Sequence, residues 1–158
     1  MFRQWKHRCK LLIYMDNQSY SVITAARTWL RTPFHHGASV KGHGVDCLHF
    51  IAAAYREAGV VSVTDIPSYQ WQWNLNRGAE TYLEGILRYA HEVESPQPGD
   101  IALWKIGRCF SHAAVVIDWP HVIHAVTGYG VVEENVDNAV WLKFDGKRPR
   151  QVKFFSYW

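Results

Sequence analysis

Apolar positions recur at helical spacing through the first half of the chain and at strand spacing through the second. Val22, Ile23, Ala26, Trp29 and Leu30 predict a helix over residues 19–31, with Ser19 or Ser21 as its cap and Pro33 as its stop. Residues 34–46 are polar and rich in Gly and His, which predicts a loop. Phe50, Ile51, Ala54, Tyr55 and Ala58 then mark the buried stripe of a helix over 47–58, closed by Gly59 at its C′ position. Leu83, Ile86, Leu87 and Ala90 predict another over 79–91, and Pro96, Pro98 and Gly99 interrupt the chain after it.

Beyond that break the period shortens. Asp100–Ile106, His112–Asp118, His121–Thr127, Val131–Val136 and Val152–Trp158 read as strands, with turns at 118–120, 128–130 and 145–146. Helices first and an antiparallel sheet second is an α+β arrangement. The 158 residues suffice for one domain, taken as 15–158. Residues 1–14 form an extension of unassigned role. Their short apolar patch Leu11-Leu12-Ile13 is too brief for a signal-peptide core, and Met15 offers an alternative start.

Composition narrows the class. Charged residues make up 20% and the formal net charge is +3, too small a balance to argue for a nucleic-acid partner. No apolar run reaches the length of a membrane span. The three cysteines, Cys9, Cys47 and Cys109, form no disulfide framework. Cys9 and Cys109 are expected to be incidental free thiols, Cys109 in a polar turn.

The candidate chemistry gathers around Cys47. It follows Gly42-His43-Gly44-Val45-Asp46 and opens a helix, where the helix dipole favours a thiolate. His112 and His124 stand six residues either side of Asp118. Both are even-numbered, so an unbulged hairpin puts them on one face of the sheet, directly or diagonally opposite. Cys47 as nucleophile, His112 as general base and His124 as the residue that orients it make a consistent set, with Cys47 and His112 expected to form a thiolate–imidazolium pair. Backbone N–H groups around Cys47 would serve as oxyanion donors. His121, beside the turn, is expected at the surface. A zinc site built on Cys109 and His112, or on His35, His36, His43 and Cys47, lacks a second tight pair to complete four ligands. No metal or cofactor is expected.

The ordered set Ala26–Phe34, Gly42–Cys47, Pro98–Trp104, Ser111–Ile117 and Ile123-His124-Ala125 resembles the NlpC-type cysteine peptidases, most of all their small phage-borne cell-wall members. The likeness spans about residues 20–135. It implies a papain-like fold, with the cysteine on a helical lobe and the histidine on a sheet. It also implies hydrolysis of peptidoglycan stem peptides, commonly at the bond from γ-linked D-glutamate to a diamino acid. By position it gives the same roles to Cys47, His112 and His124. The sequence departs from the pattern at Phe34, where the family often has tyrosine, and at His49, where it favours a small residue. His35 or His36 could replace the lost hydroxyl, and His49 is expected to change packing only. Phe34, His35, His36, Asp46, Tyr69, Trp71, Trp73 and Trp104 are the candidate substrate contacts. The partner expected is a stem peptide, with phage tail or particle proteins as further candidates. With no signal peptide read, synthesis in the cytoplasm is expected, and delivery by a phage-like particle or another secretion route. The same cysteine–histidine set could instead transfer acyl groups or deamidate, or the fold could survive in a non-catalytic phage tail component.

Overall fold

A computed structural model describes residues 17–62 and 80–158. The first helix, α1, runs over 17–27 and gives way to a tight turn through residue 31. The loop before the cysteine holds a small hairpin, β1 (Ser39–Val40) with β2 (Gly44–Val45). Helix α2, Cys47–Glu57, follows at once. Its polar N-cap is Asp46, and its end is set by Gly59, whose φ of +71° is a left-handed conformation that favours glycine. Val60 N–H reaches back to the Tyr55 carbonyl across that turn.

Helix α3 is Thr81–Leu87, shorter than the apolar spacing predicts, because residues 91–93 leave the helix to form an edge strand. The main sheet has six antiparallel strands: β3 (His91–Val93), β4 (Ile101–Ile106), β5 (Cys109–Asp118), β6 (His121–Val126), β7 (Gly130–Asn135) and β10 (Val152–Ser156). Their order is β3-β10-β4-β5-β6-β7. Between β7 and β10 lie a short helix α4 (Val140–Lys143) and a hairpin of β8 (Phe144–Asp145) with β9 (Arg148–Pro149). The sequence pattern predicts neither β3 nor α4, both too short to show a period.

The pleat divides the sheet into two faces. Leu103, Ala113, Val115, Ile123 and Ala125 turn toward α1 and α2, where they meet Trp29, Phe50 and Ala54 in the larger core. Phe50 alone, fully buried, contributes roughly 1.5–3 kcal/mol of apolar burial. Ala102, Trp104, Ala114, Val116 and Val122 face the other way and pack under Ala139 and Leu142.

Two irregularities in β5 set where its histidine stands relative to β6. Near the turn Asp118 pairs with His121, yet Val116 pairs with Val122, so Ile117 is an extra residue in the strand. Had the register at the turn continued, Val115 would face His124 and the two histidines would lie on opposite faces. The bulge restores even against even. The ladder between β5 and β6 then stops at Val115↔Ile123, and residues 109–114 of β5 run on without pairing to β6.

Candidate active site

Asp46 builds the entry to α2. Its Oδ1 accepts the His49 backbone N–H at 2.9 Å, which is an N-cap bond, and lies 2.8 Å from His49 Nδ1. Its Oδ2 accepts the Gly37 N–H at 2.7 Å, tying the preceding loop to the helix start. His36 Nδ1 approaches the same oxygen at 3.9 Å. Asp46 is 1% exposed, so its carboxylate serves the loop and the cap. The sequence reading of Asp46 as a substrate contact is corrected accordingly.

Cys47 is the first residue of α2 and half-buried. Its sulfur donates to the Ser111 carbonyl at 3.6 Å and accepts from the Ala113 N–H. Those are the groups that flank His112 on β5, at the stretch where β6 no longer pairs. The split between the two strands therefore lets a side chain from the helix-covered face reach the residue whose ring stands on the other face. Tyr82 of α3 reaches the Cys47 carbonyl at 3.4 Å.

On that other face the two imidazoles meet. His112 Nε2 and His124 Nδ1 are 2.9 Å apart, with the rings at 68°. The relation across the strands is diagonal, since His124 stands beside Val132 of β7 and one residue beyond the last β5–β6 pair. His124 Nε2 continues to a carboxylate oxygen of Glu134 at 3.0 Å. Trp141 of α4 lies over both rings, stacked on His124 at 5.9 Å and edge-on to His112 at 5.1 Å. Arg150 holds that tryptophan by donating to its carbonyl.

Burial decides the charges. It pushes the Cys47 thiol up to about 12, and the neighbouring Asp46 carboxylate adds to the rise; the N–H groups of Ala113, Leu48 and Cys47 oppose it. Burial lowers His112 well below the usual histidine value, with the adjacent His124 as the second cause. Burial lowers His124 to about 4. Burial thus works against both charged forms of the thiolate–imidazolium pair expected from the sequence, while the N–H groups at the helix start and on Ala113 favour the thiolate.

The remaining candidates separate by burial. Phe34 is half-buried on the larger core and bridges to Val45. His35 is exposed and its Nδ1 lies 3.3 Å from the His36 carbonyl. Trp104 is corrected: it is 1% exposed, sits opposite His112 on β4 and packs against that ring, so it supports the imidazole and walls no groove. Cys109 is corrected too, since it opens β5 fully buried instead of lying in a turn. His121 is exposed and accompanied by Asn135. Tyr69, Trp71, Trp73, Cys9 and the extension 1–14 lie outside the described residues. Glu134, Trp141 and Tyr82 escape the sequence reading. Only Glu134 had a legible signal, because the Gly128–Gly130 turn fixes a register that brings it diagonal to His124.

The sequence profile of the NlpC/P60 family matches residues 31–147, which contain Cys47, His112, His124 and Glu134. The chain belongs to the NlpC/P60 family. It is 24% identical over 119 residues to an Escherichia coli (strain K12) protein named "Probable endopeptidase NlpC", a match covering 74% of this chain and 68% of that one. The fold is shared with the NlpC/p60 domain of the peptidoglycan hydrolase SagA, at a TM-score of 0.58 and 18% identity over 85% of this chain and 96% of that one. NlpC2 from Trichomonas vaginalis superposes at a TM-score of 0.60 with 16% identity, over 90% of this chain and 47% of that one. NlpC1 from the same organism gives 0.58 and 18%, over 89% and 43%. This chain therefore spans under half the length of the two Trichomonas proteins. As an NlpC/P60 domain it has the papain-like layering expected from the sequence. No helix among the described residues is long and apolar enough to cross a membrane.

Proposed function

We propose that this NlpC/P60 domain is a cell-wall peptidase that cleaves an amide bond in peptidoglycan stem peptides, with Cys47 as nucleophile and His112 as general base. The observation that carries the reading is the seating of the Cys47 sulfur against the backbone on both sides of His112, whose ring is held at 2.9 Å by His124. The family's hydrolase members and the SagA domain support the cell wall as the substrate source.

The chemistry is written from a neutral thiol and a neutral imidazole, the forms that burial favours. A substrate carbonyl seated at the start of α2 turns the S–H from Ser111 toward His112. The thiol proton passes to His112 as the S–C bond forms, and the carbonyl oxygen becomes an oxyanion facing the N–H groups at the helix start. His112 returns the proton to the leaving nitrogen as the C–N bond breaks. A water molecule, deprotonated by His112, then attacks the thioester, and the thiol leaves with that proton. The family resemblance makes the bond joining γ-linked D-glutamate to a diamino acid the proposed target.

Purified peptidoglycans of several chemotypes, digested with the protein and analysed by mass, test the reading. The expected products carry one added water per cleaved stem peptide, and Cys47→Ala releases none. Full release by Cys47→Ala refutes the assignment. Products showing loss of ammonia or transfer to an added amine refute hydrolysis in favour of deamidation or acyl transfer.

A further inference from the structure

The two imidazoles are part of a longer hydrogen-bonded line. His112 on β5, His124 on β6 and Glu134 on β7 follow one another across one sheet face, at 2.9 Å and 3.0 Å. His124 is fully buried, whereas the Glu134 side chain is 31% exposed and keeps contact with water. A neutral imidazole carries one N–H and one lone pair, so two neutral rings in a row can be ordered in only two ways. In one, each ring donates from Nε2: His112 to His124, and His124 onward. In the other, His124 donates from Nδ1 to His112 and turns its Nε2 lone pair outward. The first leaves a lone pair on His112 Nδ1. The second puts the proton there, and a ring in that state cannot accept one from a thiol through that nitrogen.

A carboxylate only accepts. We propose that Glu134 is the positioning residue that sets the direction of this line, holding His124 as its Nε2–H tautomer and so leaving His112 Nδ1 free as the base. Trp141, stacked on His124, cannot substitute, because indole donates and does not accept. Water at the rim cannot either, because it donates and accepts alike. The tautomer assignment stands on the geometry alone; its consequence for catalysis rests on the function proposed above.

The test is the tautomeric state of both rings, read from long-range proton–nitrogen spectra of the full chain labelled with 15N-histidine. In the unmodified protein near pH 7, both His112 and His124 are expected to carry their proton on Nε2. Glu134→Gln keeps the shape but can donate as well as accept, and Glu134→Leu removes the acceptor. Both variants are expected to give mixed tautomers at His124 and His112. With a stem-peptide substrate, kcat is expected to fall about tenfold or more in Glu134→Leu, and less in Glu134→Gln, with KM little changed. A proton on Nδ1 of His124 in the unmodified protein overturns the proposal. So do variants whose tautomers and kcat match the parent. Expected tautomers together with no hydrolysis of any peptidoglycan would support the direction of the line and refute the peptidase reading.

Discussion

Replacing Asp46 moves two observables in opposite directions, which makes it the sharpest check on this site. The carboxylate satisfies Gly37 N–H and His49 N–H while 1% exposed. Asp46→Ala removes an N-cap, at a cost of about 0.5–2 kcal/mol, and takes the partner from the N–H of exposed Gly37, at about 0.5–1.5 kcal/mol. A loss of about 1–3 kcal/mol in urea unfolding is expected. Asp46→Asn keeps one carbonyl oxygen and loses the other acceptor, so it falls between the parent and the alanine variant.

Thiol reactivity moves the other way. The Asp46 carboxylate raises the Cys47 thiol, second only to burial, toward about 12. Against an ordinary thiol near 8.5, that lowers the thiolate fraction at neutral pH more than a thousandfold. The greater nucleophilicity of the more basic thiolate recovers part of this, leaving alkylation by iodoacetamide about a hundredfold slower than for a free cysteine. In Asp46→Asn the neighbouring charge is gone, so Cys47 alkylates faster at every pH below its titration. A variant that is both less stable and more reactive fits. A variant alkylating no faster than the parent refutes the electrostatic role, and an alanine variant within about 1 kcal/mol of the parent refutes the structural one.

Stability should also fall as pH drops from about 6.5 toward 4. In that window the unfolded chain protonates histidines that the folded chain keeps neutral, so protons favour unfolding. His124 alone, lowered to about 4, contributes about 3 kcal/mol of this loss, and His112 adds in the same direction. Asp100 and Glu134, both raised by burial, oppose it only in the carboxylate range. Urea midpoints measured between pH 7 and 4 check the slope; a flat profile refutes neutral burial of the pair. Gly130→Ala is expected to cost more than about 2 kcal/mol, read as a lowered Tm, because φ is +77° and the new Cβ would collide with the Thr32 carbonyl oxygen. That carbonyl accepts the Val131 N–H, so the tie between β7 and the loop before β1 would break.

The helix start at Cys47 and the shared face of His112 and His124 were legible for different reasons. The first rests on local chemistry: an Asp cap, an apolar stripe and a terminal Gly59 act within one helix. The second was read from parity in an unbulged hairpin; the real hairpin is bulged, and the shared face holds because the extra Ile117 cancels an odd register at the turn. The mirror placed at Asp118 was not the real one. The true hairpin turns at 119–120 and absorbs Ile117 as a bulge, a tertiary adjustment with no mark in the sequence. Trp141 was illegible because a four-residue helix has no period, and its meaning comes only from what lies beneath it. The pKa shifts were illegible for a related reason. A helix start is a local feature, whereas water is removed by tertiary packing: Cys47 lies against the larger core, and His112 against Trp104 of β4 and Trp141 of α4.

That division explains why the sheet must open where it does. In an unbroken ladder the Ser111 carbonyl and the Ala113 N–H would pair with β6, and the pleat would keep a helix-side sulfur apart from a ring on the opposite face. Ending the ladder at Val115↔Ile123 frees those two groups for Cys47 and seats its sulfur against the backbone on both sides of His112. The freed strand needs a new support on its far side. Trp104 below His112, Trp141 above, and His124 beside it supply one. The same enclosure that holds the His112 ring also strips its water, which lowers its pKa. Under the function proposed above, proton transfer from sulfur to nitrogen waits until a substrate carbonyl is in place to take the developing charge.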